Sequence, residues 1–262
     1  MTLSIKRILA LFAGSCLSLN ILAALPDEIQ VYDGEINASG ESGLELHINQ
    51  SISGNRTPGF SDERVTHHGI RLTPEFSYGL TEAVELGLYI PTVYTPSYGY
   101  EAAGFKARIK WLPIQKSESQ ALSLGLNVEY GALRPGFEES RSHFEFRQIT
   151  AWDYDVWQLA INPIVGVDTS PNLSHIPDLK MFGRVLYKEG GELSALGLEY
   201  YQDLGPYNNF YTSKTQSKQV FAVTEWAFKS GLLNHWNMHV GLGYGWDSAD
   251  RWILKMILTP IF

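Results

Sequence analysis

Residues 252–262 read WILKMILTPIF, and at a period of two the stretch divides into two unlike sides. Trp252, Leu254, Met256, Leu258, Pro260 and Phe262 form one side, all apolar. Ile253, Lys255, Ile257, Thr259 and Ile261, with Arg251 ahead of them, form the other. Such alternation marks a strand with different surroundings on its two faces. A soluble half-buried strand would satisfy the pattern, but the last residues of a chain fray unless something ties them down. A strand whose apolar side faces hydrocarbon, and which pairs with the first strand of a closed sheet, meets both demands.

The other end of the sequence reads as an export signal. Lys6 and Arg7 give a basic start, residues 8–22 are mostly apolar, and Ala23 and Ala24 are small residues suited to signal peptidase. A membrane-anchoring helix is the alternative, but Gly14, Ser15, Cys16, Ser18 and Asn20 interrupt the run, which falls short of the ~20 apolar residues a helical span needs. Cys16 could be acylated in a lipoprotein, although FAGSC puts Ala13 where Leu is preferred. Residues 1–24 are thus assigned to a cleaved signal. Losing Lys6 and Arg7 from 20 basic residues leaves 18 against 28 acidic ones, a net of −10. Nucleic acid is therefore excluded as a partner. Cys16 is the single cysteine, so no disulfide is expected in the mature chain.

No later stretch reaches helical transmembrane length, so a membrane form must be a closed barrel. Twelve segments of about 8 to 13 residues read as strands by alternation. In SGLELHIN, Leu44, Leu46 and Ile48 oppose Glu45, His47 and Asn49. In AVELGLYI, Val84, Leu86, Leu88 and Ile90 oppose Glu85, Gly87 and Tyr89. In GFKARIKW, Phe105, Ala107, Ile109 and Trp111 oppose Lys106, Arg108 and Lys110. Long polar or Gly/Pro-rich links (53–66, 92–102, 131–142, 168–178 and 202–218) alternate with short ones such as GLTE, DYD and KEGGE. Outer-membrane barrels have this asymmetry and an even strand count. The expectation is an all-β, antiparallel up-and-down transmembrane barrel of about 12 strands over residues 43–262, in contact with outer-membrane lipid. A two-sheet soluble sandwich is the alternative. Pro74, Pro163 and Pro260 must then be absorbed by bulges or strand ends.

The inward set holds Arg71, Lys106, Arg108, Lys110, Arg147, Lys180, Arg184, Arg251 and Lys255 against Glu45, Glu75, Glu85, Glu129, Glu145, Glu199 and Glu225. Near-balance favours cross-strand ion pairs bracing the wall. The sharper alternative is a ladder of Lys106, Arg108 and Lys110 guiding anionic solutes. His47 and His239, on the first and eleventh strands, fall close together across the closure, with Glu45 nearby. They are read as hydrogen-bonded lumen groups or, alternatively, as parts of a strand-assembled lipase or protease site, since no G-x-S-x-G elbow occurs. No metal or cofactor is called for. Residues 25–42 form an acidic periplasmic lead, or else a plug that pairs Asp27, Glu28, Asp33 and Glu35 with the basic ladder.

RLTPEFSYGLTEAVELGLYIPTVY, followed by GFKARIKWLP, resembles the MetA-pathway of phenol degradation family and its transporter-like outer-membrane relatives. The shared elements are a Pro before an aromatic strand, a YGLT turn, and an alternating strand ending at Ile90 and Pro91. The resemblance covers about a third of the chain and implies an outer-membrane barrel for uptake of aromatic or other apolar compounds. Trp252, Leu254, Met256, Leu258 and Phe262 also resemble the terminal-aromatic signal read by the barrel-assembly machinery, Pro260 being a departure. The function expected is a channel or transporter for small-molecule solutes. The alternatives are an outer-membrane enzyme and a structural barrel without transport.

Overall fold

The computed structural model describes residues 28–171 and 173–261; the assigned signal, Asp27 and Phe262 lie outside them. The strands are β1 (Ser42–Ser53), β2 (Ile70–Thr81), β3 (Val84–Tyr89), β4 (Thr92–Thr95), β5 (Gly99–Ala102), β6 (Gly104–Ile114) and β7 (Leu122–Leu133). They continue as β8 (Ser142–Tyr154), β9 (Trp157–Asp168), β10 (Asp178–Lys188), β11 (Leu193–Pro206), β12 (Ser217–Phe228), β13 (Trp236–Asp247) and β14 (Trp252–Pro260). Apart from β3 with β4 and β5 with β6, consecutive strands pair antiparallel, and β1 pairs with both β2 and β14, so the sheet closes. β3 and β4 run end to end along β2, and β5 continues into β6, which gives twelve wall strands.

Closure follows from the pattern of WILKMILTPIF. Leu46↔Leu258, Ile48↔Met256 and Gln50↔Leu254 hold β14 to β1, while Met238↔Leu258 and Leu242↔Leu254 hold it to β13. Trp252 and Leu254 are exposed on the outer surface, whereas Ile253, Lys255 and Ile257 are buried inside. The outer face carries exposed Leu86, Leu88, Ile109, Leu159, Ile161 and Leu198. Aromatics gather at its two ends. Tyr130 meets Phe144 at 5.1 Å and Tyr244 meets Trp252 at 5.0 Å near the long loops; Trp152 stacks on Tyr154 at 5.4 Å near the short turns. An apolar band between aromatic belts is the surface a bilayer requires.

Pro74 lies within β2 opposite Leu46, but its carbonyl accepts from the Ile90 amide at 3.0 Å, so its missing donor faces the break between β3 and β4; Pro91, Pro163 and Pro260 likewise sit where the ladder can spare a donor. Pro91 lies in the break between β3 and β4, and its carbonyl accepts from the Ala103 amide at 2.9 Å. Opposite Pro163 the β8–β9 pairing lapses between Arg147↔Ile164 and Thr150↔Ile161. Pro260 closes β14. Two sequence expectations are corrected. The link expected at 92–102 is a hairpin of β4 and β5, because the alternation of Val93 and Thr95 with Tyr94 carries the sheet beyond Pro91. Arg251, expected inside, lies exposed in the turn before β14, where it donates to the Tyr244 hydroxyl at 2.9 Å.

Residues 28–37 run within the barrel. Ile29 and Val31 pack with Ala151, Ala160, Leu186, Tyr201, Phe221 and Ile253, and Tyr32 packs with Leu112 and Ile149. Inward glycines and alanines make the room: a Cβ on Gly87 would stand 2.7 Å from the Arg108 side chain.

Leu198, outward at mid-strand in β11 and paired with Val185 and Ala222, gives a test of what covers this face. Leu198→Arg is expected to lower unfolding free energy by about 2–4 kcal/mol in lipid vesicles, read by reversible denaturant titration, with little loss if the face is wet.

Candidate functional site

Inward positions of successive strands form three charge networks. In the first, Glu75 accepts from Arg108 Nε at 2.8 Å and meets His47 Nε2 at 3.1 Å, with Glu45 3.5 Å from the same nitrogen. Arg108 also reaches Glu85 at 2.8 Å, and Glu85 holds Lys110 at 3.1 Å. In the second, His239 stands between Glu225 at 3.2 Å and Glu199 at 3.4 Å; Arg184 joins Glu225 at 3.4 Å, and Glu199 bonds to Lys255. In the third, Arg147 pairs with Glu145 at 2.8 Å, and Lys180 reaches that carboxylate at 3.5 Å. Lys106 pairs with Glu129 at 2.9 Å, and Arg71 donates to the Phe137 carbonyl at 3.1 Å.

Apart from Arg251, the lumen candidates named from the sequence face inward, but His47 and His239 do not share a site. Both flank Ile257 in register, yet each takes its own pair of glutamates. Among the described residues, neither bonds to a hydroxyl that could serve as a nucleophile. Glu45, His47 and Glu75 bring ligand-type atoms within 4.8 Å of one another, but Arg108 already supplies the positive charge there. Lys106, Arg108 and Lys110 are each engaged by carboxylates, the arrangement of bracing ion pairs rather than of a free cationic ladder.

Several cations have a second role, toward the inner segment. Lys255 donates to the carbonyl of Ile29 at 3.1 Å, Arg147 to that of Gln30 at 3.3 Å, and Lys110 to that of Glu35 at 3.1 Å. Arg147 lies 3.6 Å from Glu28, and Arg184 bonds to Asp33. Asn162 brackets Tyr32 as a strand partner would. Its Oδ1 accepts from the Tyr32 amide at 2.7 Å, and its Nδ2 donates to the Tyr32 carbonyl at 3.0 Å. The Tyr32 and Tyr89 hydroxyls are 2.8 Å apart, and the Asn37 amide donates to Glu85 at 2.8 Å. Asn162 and Tyr89 were not singled out from the sequence; their partner is a segment with no fixed register against the strands.

Two cavities lie on either side of this packing. One of about 440 Å³, toward the short turns, is lined by residues 30–33 and 35–37 together with Glu85, Lys110, Lys188 and Glu225. The other, of about 350 Å³ toward the long loops, has Glu28 and Ile29 at its boundary and Phe137, Phe182 and Tyr211 among its walls. In the loops above it, Asp250 accepts from Thr66 Oγ1 at 2.6 Å and from the Asn55 amide at 2.9 Å. Burial raises its carboxyl above the usual carboxylate range, against those bonds.

No family model matches the sequence, nor does any curated protein. Solved structures do match. The COG4313 outer membrane channel from Pseudomonas putida F1 aligns with a TM-score of 0.57 at 11% identity, covering 90% of this chain and 100% of that one. The KdgM porin aligns with a TM-score of 0.53 at 7% identity, covering 84% and 99%; its complex with disordered oligogalacturonate gives 0.53 at 8%. The fold is that of the bacterial outer-membrane barrels. At such identities the likeness extends to architecture alone.

Lys255 and Glu199 are essentially without solvent exposure, so removing one partner strands the other. Glu199→Leu alone is expected to destabilise by about 3–5 kcal/mol, whereas adding Lys255→Met recovers most of that loss in a double-mutant cycle of denaturant midpoints.

Proposed function

We propose that the protein is an outer-membrane channel for small molecules, apolar or aromatic compounds included, and that residues 28–37 act as its internal plug. The observation carrying this reading is the placing of two cavities on opposite sides of one short chain segment, inside a barrel of the porin type. The segment is held by hydrogen bonds to its backbone, by a few ion pairs and by the packing of Ile29, Val31 and Tyr32, all reversible, and it forms no ladder with any described strand. Displacing it would join the cavities without breaking the wall. The apolar side chains that would line the opened path, Phe182, Tyr201, Phe221 and Ile253, suit a solute with an apolar body. The resemblance of residues 71–94 to the phenol degradation family agrees with that chemistry.

Excising residues 28–37 is expected to raise single-channel conductance in planar bilayers severalfold and to speed the swelling of liposomes in small neutral solutes. Conductance equal to that of the intact chain would rule out the plug. Swelling no faster than in protein-free vesicles for both forms would rule out the channel.

A further inference from the structure

At the long-loop end of the barrel three adjacent strands each place a carboxylate inward at their outer ends: Asp168 closes β9, Asp178 opens β10, and Asp203 lies near the end of β11. Register brings them together, with Asp178 opposite Gly166 on one side and Asp203 opposite Lys180 on the other. All three line the 350 Å³ cavity. Among the described residues, no basic side chain stands within ion-pair distance of any of them, and Lys180 turns instead to Glu145 at 3.5 Å. This contrasts with the rest of the lumen, where carboxylates are met by Arg, Lys or His. An aromatic wall stands against the three. Tyr211, from the β11–β12 loop, lies over Gly205 and donates its amide to the Leu204 carbonyl at 2.9 Å. Phe182 lies four residues below Asp178 on the same inward face.

A second, separate feature points the same way. Asp250 lines the same cavity at 5% exposure, and its Oδ2 has no hydrogen-bond partner while Oδ1 has two. The phenol of Tyr211 is raised by burial and then by the negative charges of Asp203 and Asp178. Eight carboxylates against four Lys or Arg line the cavity, so it couples an excess of negative charge to aromatic surface, and its complement is a cation carried on an apolar body.

We propose that this outer cavity is a binding site for small cationic amphiphiles, with the ammonium or guanidinium group at Asp168, Asp178 and Asp203 and the apolar part against Tyr211 and Phe182. The inference deepens the channel reading, on which it rests for taking the bound molecule as cargo; the binding itself does not depend on it. Three probes of one shape separate charge from size: benzylammonium, benzyl alcohol and benzoate. Titrated calorimetrically into the intact, detergent-solubilised protein at neutral pH, benzylammonium is expected to bind roughly tenfold tighter than benzyl alcohol, with benzoate weakest. Asp178→Asn with Asp203→Asn is expected to remove that preference and leave benzyl alcohol unchanged. The heat-modifiable gel shift of the folded barrel serves as the check that the variant is intact, and Asp178→Asn alone gives a milder version should the pair not fold. Equal binding of benzylammonium and benzyl alcohol, a preference for benzoate, or an unaltered benzylammonium affinity in the folded variants would overturn the proposal. Binding without any solute flux would sink the channel and leave this site standing.

Discussion

Hydrocarbon offers no hydrogen bonds, so every amide and carbonyl of a strand within it must find its partner in the protein. For this chain the pairing of β1 with β14 is where that condition is met. Without Leu46↔Leu258 and its neighbours the sheet would present two long rows of unpaired groups to lipid. The same constraint explains the placing of the prolines. Pro91 falls in a break between strands, Pro260 ends one, and Pro163 faces a lapse in the ladder. None of the three removes a donor from the continuous part of the sheet.

Closure fixes the interior width, and width creates the second problem. A barrel of about eight strands can be filled by its own side chains; twelve enclose more than side chains reach across. Here residues 28–37 supply the missing volume, and inward Gly87 and Gly243 yield space to Arg108 and Phe221. A backbone brought into that lumen carries amides and carbonyls that also need partners. Asn162 and the cations Lys255, Arg147 and Lys110 provide them. The wall cations therefore serve two masters: each neutralises a glutamate on the wall and caps a carbonyl of the segment.

The outer half of this design was legible in the sequence and the inner half much less so. Period-two alternation reports which face a residue takes, so Leu86, Ile109 and Leu254 could be assigned to lipid, and Glu45, His47, Arg108 and Glu129 to the lumen. Twelve strands followed from counting the alternating segments. Arg251 was misassigned because the alternation of β14 was extended one residue too far, into a turn that the strand does not include. The hairpin of β4 and β5 was missed because Pro91 and Gly99 read as loop punctuation, although Val93 and Thr95 continue inward. The inner segment has a deeper reason for being opaque. Its hydrogen bonds reach across 130 residues to Asn162 and 226 to Lys255, and none of its partners sits at a spacing that a local pattern can reveal.

Pairing also changes what the lumen charges mean. Counted along the sequence, Lys106, Arg108 and Lys110 look like a basic track. In the barrel each is answered by a glutamate within hydrogen-bonding reach, and a neutralised pair projects little field into the cavity beside it. The field in the outer cavity then comes from the groups left over, and those are carboxylates at the strand ends, where the adjacent cation Lys180 turns to Glu145. A count of inward residues gives near-balance; their geometry gives a braced, neutral middle and an acidic mouth. In the proposed channel, what a solute meets first is set by the second arrangement, because the middle charges are already committed to one another.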